Sequence, residues 1–323
     1  MTAMARSHIG WKELALLVSI GLFWGLNWPA VRIILTEIPP FTIRMLAFVA
    51  GAAVLLGLAR LRGERLRPEP GEWGPLILVA LLSVFGFNIL AAFGQLNTET
   101  SRAAIIAFTM PVWATLLSVA FLGDKLTWER AGALLLGMAG LALLLGEDLL
   151  DVTRSPLGSL LTLGAALSWA VGTVLLKRRT WSLPPLALAG WMVAISAPPG
   201  VLGAVLIEQP WTLPFPSTEV LVVFAYHVLF PMVWCHYAWV TLVASLPAPV
   251  AAIGTLMIPV VGVISAILLL GEPPLLQKFV ALTLVVSAVA LVLIVPGLKA
   301  RKLRAAAAGA PPTADPPTAR SSR

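Results

Sequence analysis

Apolar residues along this chain run in long blocks, separated by short clusters of Arg, Lys, Glu and Pro. A helix needs about 20 apolar residues to cross a bilayer. Blocks that meet this need lie near 14–34, 41–59, 74–95, 103–122, 130–146, 157–176, 185–207, 219–243, 249–270 and 278–296. From Val220 to Gly271 there is no Asp, Glu, Lys or Arg, which leaves room for two helices. Pro247-Ala-Pro249 divides that stretch, because proline also restricts the residue before it.

The pattern repeats. Pro111-Val112 through Leu122-Gly123-Asp124 returns as Pro259-Val260 through Leu270-Gly271-Glu272, offset by 148. Leu22, Trp24, Pro39 and Pro40 return as Leu167, Trp169, Pro184 and Pro185, offset by 145. Five helices per copy is an odd number, so the second copy enters the membrane upside down. The expected fold is an all-α polytopic membrane protein of ten transmembrane helices in two inverted five-helix repeats. Residues 1–12 precede the repeats, 13–148 and 149–297 form them, and 298–323 is a basic tail expected to be disordered. An internally duplicated membrane bundle is the usual sequence mark of a secondary transporter.

Composition agrees. Charged residues are 11%, against roughly 25% in soluble domains. Hydrophobic residues are 59% and mean hydropathy is +0.93, so the solvent is lipid. The net charge of +7 does not mark a nucleic-acid binder, since the basic residues sit between apolar runs. The single cysteine, Cys235, excludes an intrachain disulfide. The run Leu14–Ala30 has no small-x-small cleavage site and belongs to the repeat, so it reads as a retained first helix. Of 22 Lys and Arg, five (Arg32, Arg44, Arg102, Arg154 and Lys278) fall on one side of the alternating topology and 17 on the other. That bias places both termini inside. Thr127 is positioned to cap helix 5, and Pro273 and Pro274 to open helix 10.

Polar side chains within the membrane are costly and mark function. Trp24, Asn27 and Trp28, at i, i+3 and i+4, share one face of helix 1. They suit a cavity wall, or an interhelical hydrogen bond with two packed indoles. Asn88 and Gln95 lie seven apart on helix 3 with Ala91 and Ala92 between them, which suits a cavity wall or a close helix contact equally. Helix 8 carries Tyr226, His227, Trp234, His236, Tyr237 and Trp239. Of these, His227, Trp234 and Tyr237 fall near one face, with Pro231 kinking the middle.

Trp11, Trp73, Trp128, Trp181 and Trp211 lie near span ends and fit an interfacial belt. Trp24, Trp28, Trp113, Trp169, Trp191, Trp234 and Trp239 lie within spans, which fits an aromatic-walled cavity. The candidate solute-binding set is Trp24, Asn27, Trp28, Asn88, Gln95, Trp113, Trp169, His227, Trp234 and Tyr237. Gly21-x-x-x-Gly25 and Gly164-x-x-x-Ser168-x-x-x-Gly172 read as close-packing stripes. Asp124 and Glu272, closing helices 4 and 9, read as compensators of local charge.

An enzyme reading finds no catalytic or metal set. Cys235 and His236 are neighbours, but neighbours on a helix point about 100° apart. A channel expects a ring of charged or carbonyl ligands, and none is found.

Phe23-Trp24-Gly25-Leu26-Asn27-Trp28 resembles the W-G-x-N signature of helix 1 in EamA-type proteins of the drug/metabolite transporter superfamily. Pro39-Pro40 followed by Arg44 is similar to that family's second-helix start. Pro111–Asp124 and its copy Pro259–Glu272 are similar to its P…LGE ends of helices 4 and 9. The resemblance covers about residues 12–297. It implies ten helices in two inverted repeats and a central cavity lined by helices 1, 3, 4, 6, 8 and 9. It also implies export of amino acids or related metabolites across a bacterial inner membrane.

Two departures narrow the substrate. Multidrug relatives couple to protons through a buried helix-1 carboxylate, whereas Glu13 here sits beside Lys12 at the boundary. Nucleotide-sugar and sugar-phosphate relatives need buried Lys or Arg for phosphate, and none is read at the membrane centre. The expected function is export of a small neutral or zwitterionic metabolite, such as an amino acid, by alternating access. Burial in lipid favours the neutral form of the histidines, so no obligatory proton coupling is expected. A proton-coupled multidrug or metabolite exporter is the alternative. The expected partners are the solute and the lipid bilayer. No cofactor, nucleic acid or oligomer is implied.

Overall fold

The computed structural model describes residues 11–122, 127–150, 156–245 and 248–293, and all regular structure among them is helical. The first repeat holds α1 (Trp11–Ile34) and α2 (Pro40–Leu61). In α3, Trp73–Ala80 and Phe87–Asn97 are joined by a π-turn, Leu81–Gly86. Next come α4 (Thr100–Ala107 and Met110–Leu122) and α5 (Trp128–Leu150). The second repeat holds α6 (Leu157–Lys177) and α7 (Pro185–Gly203, closing in a π-turn Ala204–Glu208). In α8, Thr218–His227 and Cys235–Ser245 flank the π-turn Val228–Trp234. The last two are α9 (Ala248–Leu270) and α10 (Leu276–Leu293).

Seven segments are long and apolar enough to cross a bilayer, and the shorter apolar stretches Ala131–Leu143, Met257–Leu270 and Leu276–Leu291 complete the ten. Leu206, Ile207, Val222 and Leu268 are mostly exposed. In water such a surface would aggregate; around a multi-pass bundle it is the lipid face.

Pro40 and Pro185 open α2 and α7 at first-turn positions that need no N–H. Pro273 and Pro274 do not open α10, which starts at Leu276. Proline at 274 drives Pro273 out of the helical region, and the chain turns helical only after Leu275 N bonds Pro273 O at 2.9 Å.

Repeat equivalents also differ at one bend. α4 is interrupted at Phe108–Thr109, ahead of Pro111, while α9 runs unbroken through Pro259. The Thr109 hydroxyl donates to Ile106 O at 2.7 Å and accepts the Trp113 indole N–H at 3.0 Å. Such local side-chain bonds compete with the helical ladder. The equivalent residue in α9 is Met257, which has no hydroxyl to offer.

Packing carries the duplication into space. α1 lies against α8 and α9, and α6 lies against α3 and α4; α2 pairs with α7, and α5 with α10. Exchanging each helix for its repeat equivalent maps this set onto itself. Two carboxylate ties obey the same exchange. Glu37 Oε2, after α1, accepts Ser217 N ahead of α8 at 2.6 Å. Glu72 Oε1, ahead of α3, accepts Ser182 N after α6 at 2.7 Å. Positions 37 and 182, and 72 and 217, are equivalents at offset 145, with the acid moved to the other member of the pair. The ties lie at opposite ends of α2, so the two repeats run in opposite senses.

The glycine stripes bring helices into contact. A Cβ added at Gly25 of α1 would sit 2.5 Å from Val261 Cβ of α9, and one at Gly172 of α6 would run into Ser83 of α3. Gly25→Val is expected to destabilise the purified protein by about 1–3 kcal/mol through overpacking. At Gly57 nothing lies within 4 Å, so Gly57→Val is the control for thermal unfolding in detergent. Equal melting of the two variants would show that the α1–α9 contact is not tight.

Candidate functional site

One turn inside α2, Arg44 is 2% exposed. Its Nη1 donates to Asn88 Oδ1 of α3 at 3.0 Å and lies 3.3 Å from His227 Nε2 of α8. Arginine only donates, so His227 Nε2 accepts. The imidazole proton then sits on Nδ1 and is donated to Asn27 Oδ1 of α1 at 2.7 Å. Asn88 Nδ2 is held by Val84 O, in the π-turn of α3, at 2.8 Å. Four helices thus converge on a buried polar chain, Asn27–His227–Arg44–Asn88. Nε of Arg44 is buried and has no hydrogen-bond partner among the described residues.

Beside this chain is an aromatic cluster at the seam of the repeats. Trp24 of α1 and Trp169 of α6, equivalent by sequence, meet edge to face with centroids 6.1 Å apart. His236 and Trp239 of α8 lie 5.8 and 6.0 Å from Trp24, and Phe87 of α3 lies 5.1 Å from Trp169. A π-turn and a proline loosen the helical ladder and turn carbonyls toward side chains. Pro231 O in α8 accepts Trp24 Nε1 at 3.1 Å and His236 Nδ1 at 3.0 Å. Nε2 of His236 is buried and has no partner among the described residues.

The other predicted residues are dispersed. Trp28 is buried among Ala91, Ala103, Ala104, Ala107 and Ala165. Trp113 donates to Thr109 within α4. Gln95 stands about 10 Å along the axis from Asn88, at 1.5 Å per residue. Its backbone carbonyl accepts Arg32, and its Oε1 is buried with no partner among the described residues.

Of the proposed face, Trp234 and Tyr237 stay together, edge to face with centroids 6.4 Å apart, and His227 is split from them. Trp234 is 40% exposed and donates to Ser19 Oγ at 2.9 Å. Tyr237 meets Arg62, whose Nη1 is 3.4 Å from the hydroxyl and whose guanidinium lies 5.4 Å from the ring centroid. The cause is the seven-residue π-turn Val228–Trp234: a period of 3.6 does not carry across it.

Arg44, His236, Trp239 and Phe87 were missing from the predicted set. Arg44 had a signal, since a guanidinium one turn into an apolar helix is too deep to be a loop charge. Arg44 adds a buried guanidinium one turn inside α2 to a reading that found no Lys or Arg at the membrane centre. Arg102 and Lys278, also counted as loop cations, are buried. Lys278 Nζ is held by Glu99 at 2.9 Å and Glu272 at 3.4 Å. Glu272 also accepts Thr100 N at 2.6 Å and Ser101 N at 3.1 Å, capping α4. It compensates local charge as expected, whereas Asp124 and Arg154 lie outside the described residues.

An open cavity of about 550 Å³ sits at this end of the bundle, lined by Arg32, Thr36, Asn97, Glu99 and Glu272 among others, and by none of the ten predicted residues. Among the described residues, no three His, Cys, Asp or Glu are grouped to hold a metal.

Comparison with known proteins agrees with this architecture. The EamA-like transporter family model matches residues 11–146 and again 156–294. The uncharacterized transporter YvbV of Bacillus subtilis (strain 168) is 31% identical over 301 residues, covering 91% of this chain and 94% of that one. The uncharacterized inner membrane transporter YedA of Escherichia coli (strain K12) is 26% identical over 278 residues, covering 85% and 89%. A solved crystal structure superimposes with TM-score 0.65 over 90% of this chain and 98% of its own; at 21% identity the likeness is one of fold. Two family matches, one per five-helix repeat, place the chain as a multi-pass membrane transporter that belongs to the EamA-like transporter family.

Proposed function

We propose that this protein exports a small neutral or zwitterionic metabolite of the amino-acid class across a bacterial inner membrane, with both termini in the cytoplasm. The two repeats rock against each other around a fixed central site, as inverted-repeat carriers do. The observation that carries this reading is the contact of Trp24 with Trp169 across the repeat seam, walled by Trp239, His236 and Phe87. Aromatic walls bind apolar or zwitterionic solutes while a few polar tips orient them. Trp24, Trp169 and the chain from Asn27 to Asn88 are the residues expected to contact solute.

Transport is expected to be facilitated rather than proton-driven. Both nitrogens of His227 are engaged, and Nε2 accepts from Arg44. A proton added at Nε2 would set a donor against a donor and a second positive charge 3.3 Å from the first. The test is counterflow in proteoliposomes loaded with single amino acids. Saturable exchange that persists without a pH gradient is expected for at least one of them. Non-saturating flux would favour a channel. Uphill accumulation driven by an imposed pH gradient, and lost in His227→Gln, would favour the proton-coupled alternative.

A further inference from the structure

We propose that Arg44 is the receptor for a carboxylate group on the transported solute. The inference rests on the transporter reading above and adds the chemistry of one subsite. A guanidinium stays charged in any protein environment, and an unpaired buried charge is costly. Arg44 is 2% exposed, yet its hydrogen-bonding partners are neutral: the Asn88 amide and the imidazole of His227.

The acids nearby are committed elsewhere. Glu208, which closes α7, accepts Phe41 N at 2.8 Å and Thr42 N at 2.6 Å in the first turn of α2. Glu37 holds Ser217 N, and Glu99 and Glu272 hold Lys278. Among the described residues no carboxylate pairs with Arg44.

Among the described residues, no hydrogen bond reaches the Nε–Nη2 edge of Arg44. Both contacts of Arg44 are made by Nη1, while Nε is buried and unpartnered. The Nε–Nη2 edge is the fork that matches a carboxylate with two parallel hydrogen bonds. Asn88 and His227 hold the guanidinium by its other end, and His227 is itself braced on Asn27 of α1. One positive charge balances one carboxylate, whereas a phosphate dianion would leave a buried net charge.

The test uses the purified full-length protein in detergent. Thermal unfolding is followed with benzoate, with benzamide as its neutral isostere, and with inorganic phosphate. Benzoate is expected to raise Tm, and the other two are not. Arg44→Lys keeps the charge without the fork and should weaken the benzoate response about tenfold, the loss of one charge-assisted bond. Arg44→Gln should abolish it.

Because Arg44 variants can fail to fold, Asn88→Asp is the second arm. It sets a carboxylate at the 3.0 Å contact with Nη1 at the cost of the Nδ2 bond to Val84 O, so the protein should still fold and no longer respond to benzoate. The proposal is overturned if benzamide matches benzoate or if benzoate has no effect. It is also overturned if phosphate matches benzoate, or if Arg44→Gln or Asn88→Asp keeps the full response. Saturable counterflow by a protein that treats benzoate and benzamide alike would leave transport standing and remove this subsite. An Arg44-dependent benzoate response without counterflow would do the reverse.

Discussion

Trp24→Ala and Trp169→Ala should each lower saturable counterflow by about 100-fold, with the protein still reaching the membrane. Losing Trp24 removes the indole bond to Pro231 O and three ring contacts at once. Truncating a packed tryptophan costs about 3–5 kcal/mol. Each ~1.4 kcal/mol of lost solute contact is tenfold in affinity, so about two thirds of that cost falling on the solute wall suffices. Trp169 meets both Trp24 and Phe87 edge to face, so its loss opens the same wall from the second repeat. Trp128 and Trp211 are 92% and 67% exposed, and their alanine variants should transport normally. If all four variants lose transport and membrane protein in proportion, the indoles act in folding and the aromatic-wall reading fails.

Much of the fold was legible because lipid imposes a simple rule. Each crossing needs a long apolar run, and charges collect between runs. The 145-residue offset then tied Trp24 to Trp169, and the structure brings those two rings together. Asn27, Asn88 and His227 were legible for a related reason: polar groups inside a span must find partners. They find one another through Arg44.

The burial of Arg44 lay outside the loop count, which placed it on one side of the topology by its closeness to Pro39-Pro40. Hydropathy averaged over a window does not say whether a guanidinium one turn into a helix points outward or inward. The π-turns of α3 and α8 hid the rest, since they change the helical phase without a sequence mark beyond Pro231. That phase shift separates His227 from Trp234 and Tyr237 and brings His236 and Trp239 to Trp24 instead. The break in α4 depended on one hydroxyl, Thr109 against Met257, at positions where the two repeats otherwise run in parallel.

Glu272→Ala should destabilise the protein by about 3–5 kcal/mol, the usual result of removing one partner of a buried ion pair. Lys278 is 1% exposed, and its ammonium is compensated by Glu272 and Glu99. Without Glu272 that ammonium keeps only Glu99, whose side chain is 38% exposed and partly screened by water. The first N–H groups of α4 lose their acceptor as well, at a further cost of about 1 kcal/mol. Melting in detergent should fall by on the order of 10 °C.

The double variant Lys278→Met/Glu272→Gln separates the two effects. It removes the buried charge and its partner together, leaves an amide oxygen to cap α4, and fills the site with a side chain of similar volume. Such replacements of buried pairs are often neutral, so the double variant should melt within a few degrees of the unmodified protein. A single variant as stable as the parent would mean that Glu99 and water suffice for Lys278. A double variant no better than Glu272→Ala would mean that the loss does not come from an unpaired Lys278 charge, and the ion-pair account fails.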